Sequence, residues 1–291
     1  MVRLLGDPVR WRLMRQLASG DQRVRELVAA VGQPQNLVSY HLRQLRLGGL
    51  VTPRRSSFDG RDTYYHLDLD GCARALTGAA AALHPGLASL ASAPGGLSLA
   101  GLVGPASAPA APGADGLTSL ASGFAAAGQG DVTLAPRRVL FVCTGNSSRS
   151  PMAEGLLRHR AGMQVAAASA GIRPKPVHPH AVAVMRDRFG LDIAGHRPVQ
   201  VTAAARERFD YVISLCDKAR EACPEFTGHP GLIHWSLPDP AAGEGGLAGY
   251  PAFERTAAEL DARIGFLLPV LDQAGAAGPP RAGRAKSIKS D

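Results

Sequence analysis

The stretch Val139-Leu140-Phe141-Val142-Cys143-Thr144-Gly145-Asn146-Ser147-Ser148-Arg149-Ser150-Pro151 decides the fold of the second half of this chain. The apolar run that opens it reads as a buried strand. Ser150-Pro151 then reads as an N-cap and first turn of a helix running through Met152, Leu156 and Leu157. A cysteine, five small or polar residues and an arginine therefore join a strand to a helix N-terminus. That arrangement suits a tetrahedral oxyanion. The backbone N–H groups of Thr144, Gly145, Asn146, Ser147 and Ser148 and the helix dipole converge on one centre, and Arg149 adds a planar charged fork. The same positive field is expected to depress the Cys143 pKa and hold it as thiolate, the nucleophilic form. Ser150 can donate a hydrogen bond to that sulfur. A buried cysteine at a strand end, the plainer reading, requires neither the small loop nor the placed arginine.

Outward from that stretch, composition sets the frame. The chain has 291 residues, 45% hydrophobic and 19% charged, with a net charge of +8. That length holds two modest domains, and the charge favours polyanionic partners or oxyanion substrates. Residues 1–12 carry three arginines and Pro8 and no apolar run of the signal-peptide kind. No stretch is long and apolar enough to span a bilayer, so no membrane role is expected. Four cysteines are too few for a disulfide scaffold, and a reducing cytoplasm is the expected location. From Ala75 to Pro136 the charged residues are Asp115 and Asp131 alone, amid Ala, Gly, Pro, Ser and Leu. Residues 85–136 read as a flexible linker with a span on the order of 40 Å, so the flanking domains, 1–84 and 137–273, need not touch. Residues 274–291 read as a basic disordered tail.

In the first domain, Asp7-Pro8 marks a helix start, Val24–Val31 a second helix ended by Gly32, and a third opens near Pro34-Gln35 and stops at Gly48-Gly49. On the third, Val38, Leu42 and Leu45 cluster on one side, while Asn36, Ser39, Tyr40 and Arg43 gather on the other. A helix with such an outer face suits a DNA major groove. Residues 50–55 and Thr63–Leu67, joined through Phe58-Asp59-Gly60, read as a hairpin whose Arg54, Arg55 and Arg61 can grip phosphates. Through Arg74 there are twelve arginines against seven acids, a net of +5. The alternative is a basic helical domain whose polar face is merely solvated. The run 35–45, then Gly48-Gly49-Leu50-Val51 and the hairpin, resembles the arsR-type winged-helix repressors. The resemblance implies a homodimer, through this domain, on duplex operator DNA, and a role in transcription regulation. Arsenite- or metal-sensing members carry a cysteine pair on the helix before the recognition helix. Residues 23–27 hold none, and Cys72 is the domain's lone thiol, so direct sensing is not implied.

In the second domain, residues 139–157 with Ser169-Ala170-Gly171 and Gly190-Leu191-Asp192-Ile193-Ala194-Gly195-His196-Arg197 resemble the low-molecular-weight protein tyrosine phosphatases. The resemblance implies an α/β fold with a parallel sheet, behind the α+β winged helix. It further implies that Asn146 and Ser169 brace the loop and that Asp239, of Asp239-Pro240, is the general acid. Phosphatases of this kind carry aromatic residues after the Asp-Pro, whereas this chain has Ala241-Ala242. Conversely, the strand-like run 211–215 ends at Cys216, with Cys223-Pro224 seven residues on. That pattern resembles the three-thiol arsenate reductases of arsenic resistance. It implies a redox-active disulfide passed from Cys143 through Cys216 to Cys223, with thioredoxin or an equivalent thiol reductant as external partner and no bound cofactor or metal. The expected function is reduction of arsenate to arsenite. The alternatives are a phosphatase on the same scaffold, and a DNA-binding regulator whose second domain only senses an oxyanion.

Overall fold

The computed structural model describes residues 2–84, 136–222, 226, 229, 231–242 and 249–277. The expected linker lies outside these residues except for Pro136, as do Cys223 and residues 278–291 of the expected tail. Among the described residues, 2–73 and 136–277 belong to one compact unit.

The N-terminal segment runs α1 (Val2–Leu5), α2 (Pro8–Ala18), β1 (Gln22–Arg23), α3 (Val24–Val31), α4 (Gln35–Leu47), β2 (Val51–Arg55), β3 (Thr63–Leu67) and α5 (Leu69–Leu83). Asp7 starts α2 as the spacing predicts: its carboxylate accepts the N–H groups of Val9 and Arg10 at 2.9 and 3.0 Å. A cap of this kind stabilises a helix by about 1 kcal/mol. Gly32, at φ 65°, ends α3 in the left-handed region that glycine enters without strain. Leu13, Leu17, Leu27, Val38, Leu42 and Leu45 close the core between α2, α3 and α4. The hairpin forms antiparallel, Val51 opposite Leu67 and Arg55 opposite Thr63, and β1 adds to its β3 side.

The second segment runs β4 (Arg137–Cys143), α6 (Arg149–Ala161), β5 (Val165–Gly171), α7 (Pro179–Phe189), α8 (Val201–Ala204), β6 (Tyr211–Ser214), α9 (Asp217–Ala222), β7 (Leu232–His234) and α10 (Tyr250–Ala277). Its four strands are parallel in the order β5-β4-β6-β7. Val139, Leu140, Phe141 and Val142 are each at most 1% exposed, so both faces of β4 are covered, as a parallel sheet requires. The chain leaves β4 toward β5 on one side and returns to β6 on the other. The crevice at such a switch point, beyond the carboxyl ends of the strands, is where sheets of this class hold ligands. Cys143 ends β4 there. α6 starts at Arg149, two residues before Pro151; proline in the first turn costs no helix hydrogen bond, because those N–H groups have no partner within the helix. α10 runs through Ala277, four residues into the segment expected as a disordered tail.

The winged helix packs directly on the second segment. Asp21 N–H donates to the His234 carbonyl at 2.7 Å, and the Asp21 carboxylate accepts from Ser236 N–H at 2.7 Å and from Arg263 at 3.1 Å. Gly20 permits this approach. A side chain there would meet the backbone N and O of His234 at 3.1 Å, and its φ of 147° strains any other residue. The Tyr64 ring lies 4.6 Å from that of His234. Arg54, expected on DNA phosphates, instead meets the Glu259 carboxylate at 3.2 Å and the Ser236 carbonyl.

Candidate active site

The loop after β4 is built by its carbonyls. Those of Cys143, Thr144, Gly145 and Ser147 accept the N–H groups of Ile172, Arg173, Lys175 and His178 at 3.2, 2.8, 2.9 and 2.8 Å. With the carbonyls drawn to that segment, the N–H sides of these peptides are left for the opposite side, the geometry an oxyanion cradle needs. Segment 172–178 had no signal in the sequence beyond its prolines, since its contribution is made by backbone.

Asn146 braces the loop. It is fully buried and sits at φ 44°, a conformation that asparagine tolerates better than most side chains. Its N–H donates to Cys143 Sγ at 3.2 Å, and its Nδ2 donates to Ser150 Oγ at 3.0 Å and Ser169 Oγ at 2.7 Å. Its Oδ1 accepts Val199 N–H at 2.7 Å and lies 3.2 Å from His196 Nε2. Gly171, ending β5, is held by the same crowding: a Cβ there would lie 2.7 Å from Asn146 N. Ser150 Oγ lies 3.0 Å from Cys143 Sγ, so one hydroxyl and one amide address the sulfur.

Arg149 is 4% exposed. It donates to the Leu237 carbonyl at 3.0 Å and meets the Asp239 carboxylate at 3.2 Å, while its Nε is buried without a protein partner among the described residues. That leftover donor suits an oxyanion. Burial opposes its charge, but the sulfurs of Cys216 and Cys143 and the Asp239 carboxylate outweigh it and raise its pKa. Asp239 is nearly half exposed, at the rim, with Ala241 and Ala242 exposed beside it.

The second thiol reaches the same place from the neighbouring strand. Cys216 follows β6 by two residues and is 1% exposed, its Sγ 3.3 Å from Thr144 Oγ1 and 3.4 Å from the Ala219 N–H that donates to it. Burial pushes its pKa up, with Arg149 pulling the other way. The structure thus brings Cys143, Arg149, Asp239, Thr144, Asn146, Ser150, Ser169 and Cys216 together; Cys223 lies outside the described residues.

The candidate DNA face is a separate surface. Asn36, Ser39, Tyr40 and Arg43 are exposed on α4, opposite buried Val38, His41, Leu42 and Leu45. Arg55 and Arg61 also face solvent, and Arg54 does not stand with them. Among the described residues no helix is long and apolar enough to cross a membrane.

Comparison with known proteins matches residues 138–276 to the low molecular weight phosphotyrosine protein phosphatases and residues 7–52 to the bacterial regulatory proteins of the arsR family. An arsenate reductase of Brevibacillus brevis is 34% identical over 128 residues, 44% of this chain and 91% of its own length. A solved arsenate reductase in the phosphate binding state is 30% identical over 46% of this chain and 98% of its own, with a TM-score of 0.41. A Corynebacterium glutamicum thioredoxin-dependent arsenate reductase is 30% identical over 50% of this chain and 67% of its own, with a TM-score of 0.39. On its cysteine loop, its parallel sheet and its 34% identity across nearly the whole of such a relative, this chain belongs to the low molecular weight phosphotyrosine protein phosphatase family, in its arsenate reductase group, with an arsR-family segment ahead of it.

Proposed function

We propose that the chain reduces arsenate to arsenite by a relay of thiols. The observation that carries this reading is the second buried thiol at the oxyanion loop, Cys216 Sγ 3.3 Å from Thr144 Oγ1. A phosphatase needs one nucleophilic sulfur; an enzyme that removes two electrons from its own thiols needs a second within reach of the first. Ala241 and Ala242 also stand after Asp239-Pro240, where phosphatases of this kind carry aromatic residues.

In this mechanism the Cys143 thiolate attacks arsenic, forming an S–As bond. The loop amides and Arg149 hold the charged oxygens, and Asp239 gives a proton to the oxygen that leaves as water. The Cys216 thiolate then attacks Cys143 Sγ. The S–As pair passes to arsenic, which departs as arsenite, and a Cys143–Cys216 disulfide remains. Cys223 attacks Cys216, freeing Cys143, and an external dithiol of the thioredoxin class reduces the Cys216–Cys223 disulfide.

The α4 face with Asn36, Ser39, Tyr40 and Arg43 supports duplex DNA binding by the winged helix, with Arg55 and Arg61 on phosphates, and the arsR-type resemblance carries the homodimer. The discriminating experiment compares arsenate-dependent consumption of reduced thioredoxin with release of p-nitrophenol from its phosphate. Fast p-nitrophenol release without arsenate turnover would select the phosphatase; neither activity would select an oxyanion-sensing regulator.

A further inference from the structure

Cys216 is followed at once by α9, and the winged helix holds α9 at three side chains. Asp217 Oδ2 accepts the Ser57 N–H at 2.6 Å and the Ser57 hydroxyl at 2.8 Å, both from the hairpin loop of the winged helix. Arg220 donates to Glu26 on α3 at 3.0 Å. Glu221 accepts the Tyr64 hydroxyl at 2.8 Å and the Ser56 hydroxyl at 3.2 Å. On its other side, α9 gives the Ala219 N–H to the Cys216 sulfur at 3.4 Å. The helix that sets one thiol of the oxyanion site is thus gripped by residues 157 to 194 positions away in sequence, in the domain assigned to DNA.

We propose that Ser57 of the winged helix is a positioning residue for thiol exchange at Cys216, acting through Asp217. The inference rests on the reductase reading above. Asp217 is 1% exposed, and a buried carboxylate needs its oxygens satisfied. Oδ1 lies 3.1 Å from His234 Nε2, and Oδ2 has the two Ser57 donors. Burial works to raise the Asp217 pKa, yet the hydrogen bonds from His234 and Ser57 bring it down to about 2, so the anion is a fixed part of the joint. His234 is itself anchored in β7. Ser57 and His234 therefore pin the first residue of α9 from two sides, with Cys216 one peptide away.

This grip does not reach the first thiol. The Cys143 loop is held by segment 172–178 and by Asn146, none of which touches Ser57 in the contacts above. Loss of the Ser57 hydroxyl should leave Cys143 chemistry in place and disturb Cys216 alone. By thermodynamic linkage the coupling runs both ways: drawing Cys216 into a disulfide moves the start of α9 and weakens the hold on Ser57, loosening the hairpin of the winged helix.

The test uses the full-length chain with Ser57→Ala and Ser57→Thr, arsenate and a thioredoxin system. Ser57→Ala should lower kcat and the single-turnover rate of Cys143–Cys216 disulfide formation by about tenfold or more, with KM for arsenate unchanged. Ser57→Thr, which keeps the hydroxyl, should restore most of the rate. In peptide-resolved mass spectrometry, Ser57→Ala should move the midpoint of Cys216 alkylation to higher pH by roughly half a unit or more, because the thiolate loses its Ala219 amide. Cys143 alkylation should not change. Unchanged disulfide formation with an unchanged Cys216 midpoint would overturn the proposal, and so would an equal slowing at Cys143, which means general damage to the fold. If the unaltered chain leaves arsenate unreduced, the reductase reading fails by itself. The Cys216 midpoint then still decides: a shift with Cys143 unaffected sustains the positioning role, and no shift ends it.

Discussion

Asp21→Ala should cost this protein more stability than any surface charge it carries. The residue is 3% exposed, and its carboxylate accepts Ser236 N–H at 2.7 Å and Arg263 at 3.1 to 3.3 Å, with His66 Nδ1 at 3.1 Å. Removal leaves Arg263, 7% exposed, with Glu259 at 2.8 Å as its remaining acid, and leaves the Ser236 N–H without its acceptor. Taking one partner from a buried ion pair costs about 3–5 kcal/mol, toward the low end where a second acid remains. The stranded amide adds about 1–3 kcal/mol, so the total is about 4–6 kcal/mol. For a unit of this size that lowers Tm by roughly 8–24 °C. Because Asp21 sits in the winged helix while Ser236 and Arg263 sit in the other segment, the loss falls on the contact between them. Calorimetry should show one transition in the unaltered chain and two in Asp21→Ala. Asp21→Asn, which keeps an acceptor for Ser236, should lie between. A single transition within about 1 kcal/mol of the unaltered chain would refute the reasoning.

Cys143→Ser should abolish arsenate reduction while arsenate still protects the protein against thermal unfolding, since the amides and Arg149 remain; appreciable turnover would show that another group is the nucleophile. Burial raises the Cys216 pKa, so at neutral pH it is held as thiol, and single-turnover disulfide formation should climb as pH rises from 7 toward that pKa; a rate flat from pH 6 to 9 contradicts this. Asp21 and Asp217 titrate in the fold below their ordinary 3.8, Asp217 at about 2, despite burial that raises both. They therefore stabilise the fold above 3.8 and lose that contribution as pH falls toward 2, so the contact between the segments should hold at pH 5 and fail between about 4 and 2, as followed by calorimetry. Arg43→Ala should weaken specific DNA binding by about 1–3 kcal/mol if it reads a base, whereas Arg54→Ala should act on Tm, since Glu259 holds that side chain; gel shift and melting curves separate the two.

Local pattern carried much of the architecture. Apolar spacing located α2, α3 and α4 and the buried face of α4, and Asp7, Gly32 and the Gly48-Gly49 pair marked ends because capping acts within one turn. The four-residue α1 and the two-residue β1 had no such signal; β1 exists because β3 offers it hydrogen bonds. Ser150-Pro151 places the start of α6 two residues late, because proline suits any position in a first turn.

By itself the sequence determined the strand, the cysteine loop and Arg149, and the division of α4 into a buried and a hydrogen-bonding face, since each depends on residues within a dozen positions of one another. Only the tertiary structure decided that segment 172–178 draws the loop carbonyls outward and that Cys216 stands by Thr144. It alone turned Arg54 to Glu259 rather than to solvent, and seated Asp21 and Ser57 on the second segment. Those contacts join backbone groups and buried charges up to roughly 240 residues apart, and no periodicity in either partner records the other.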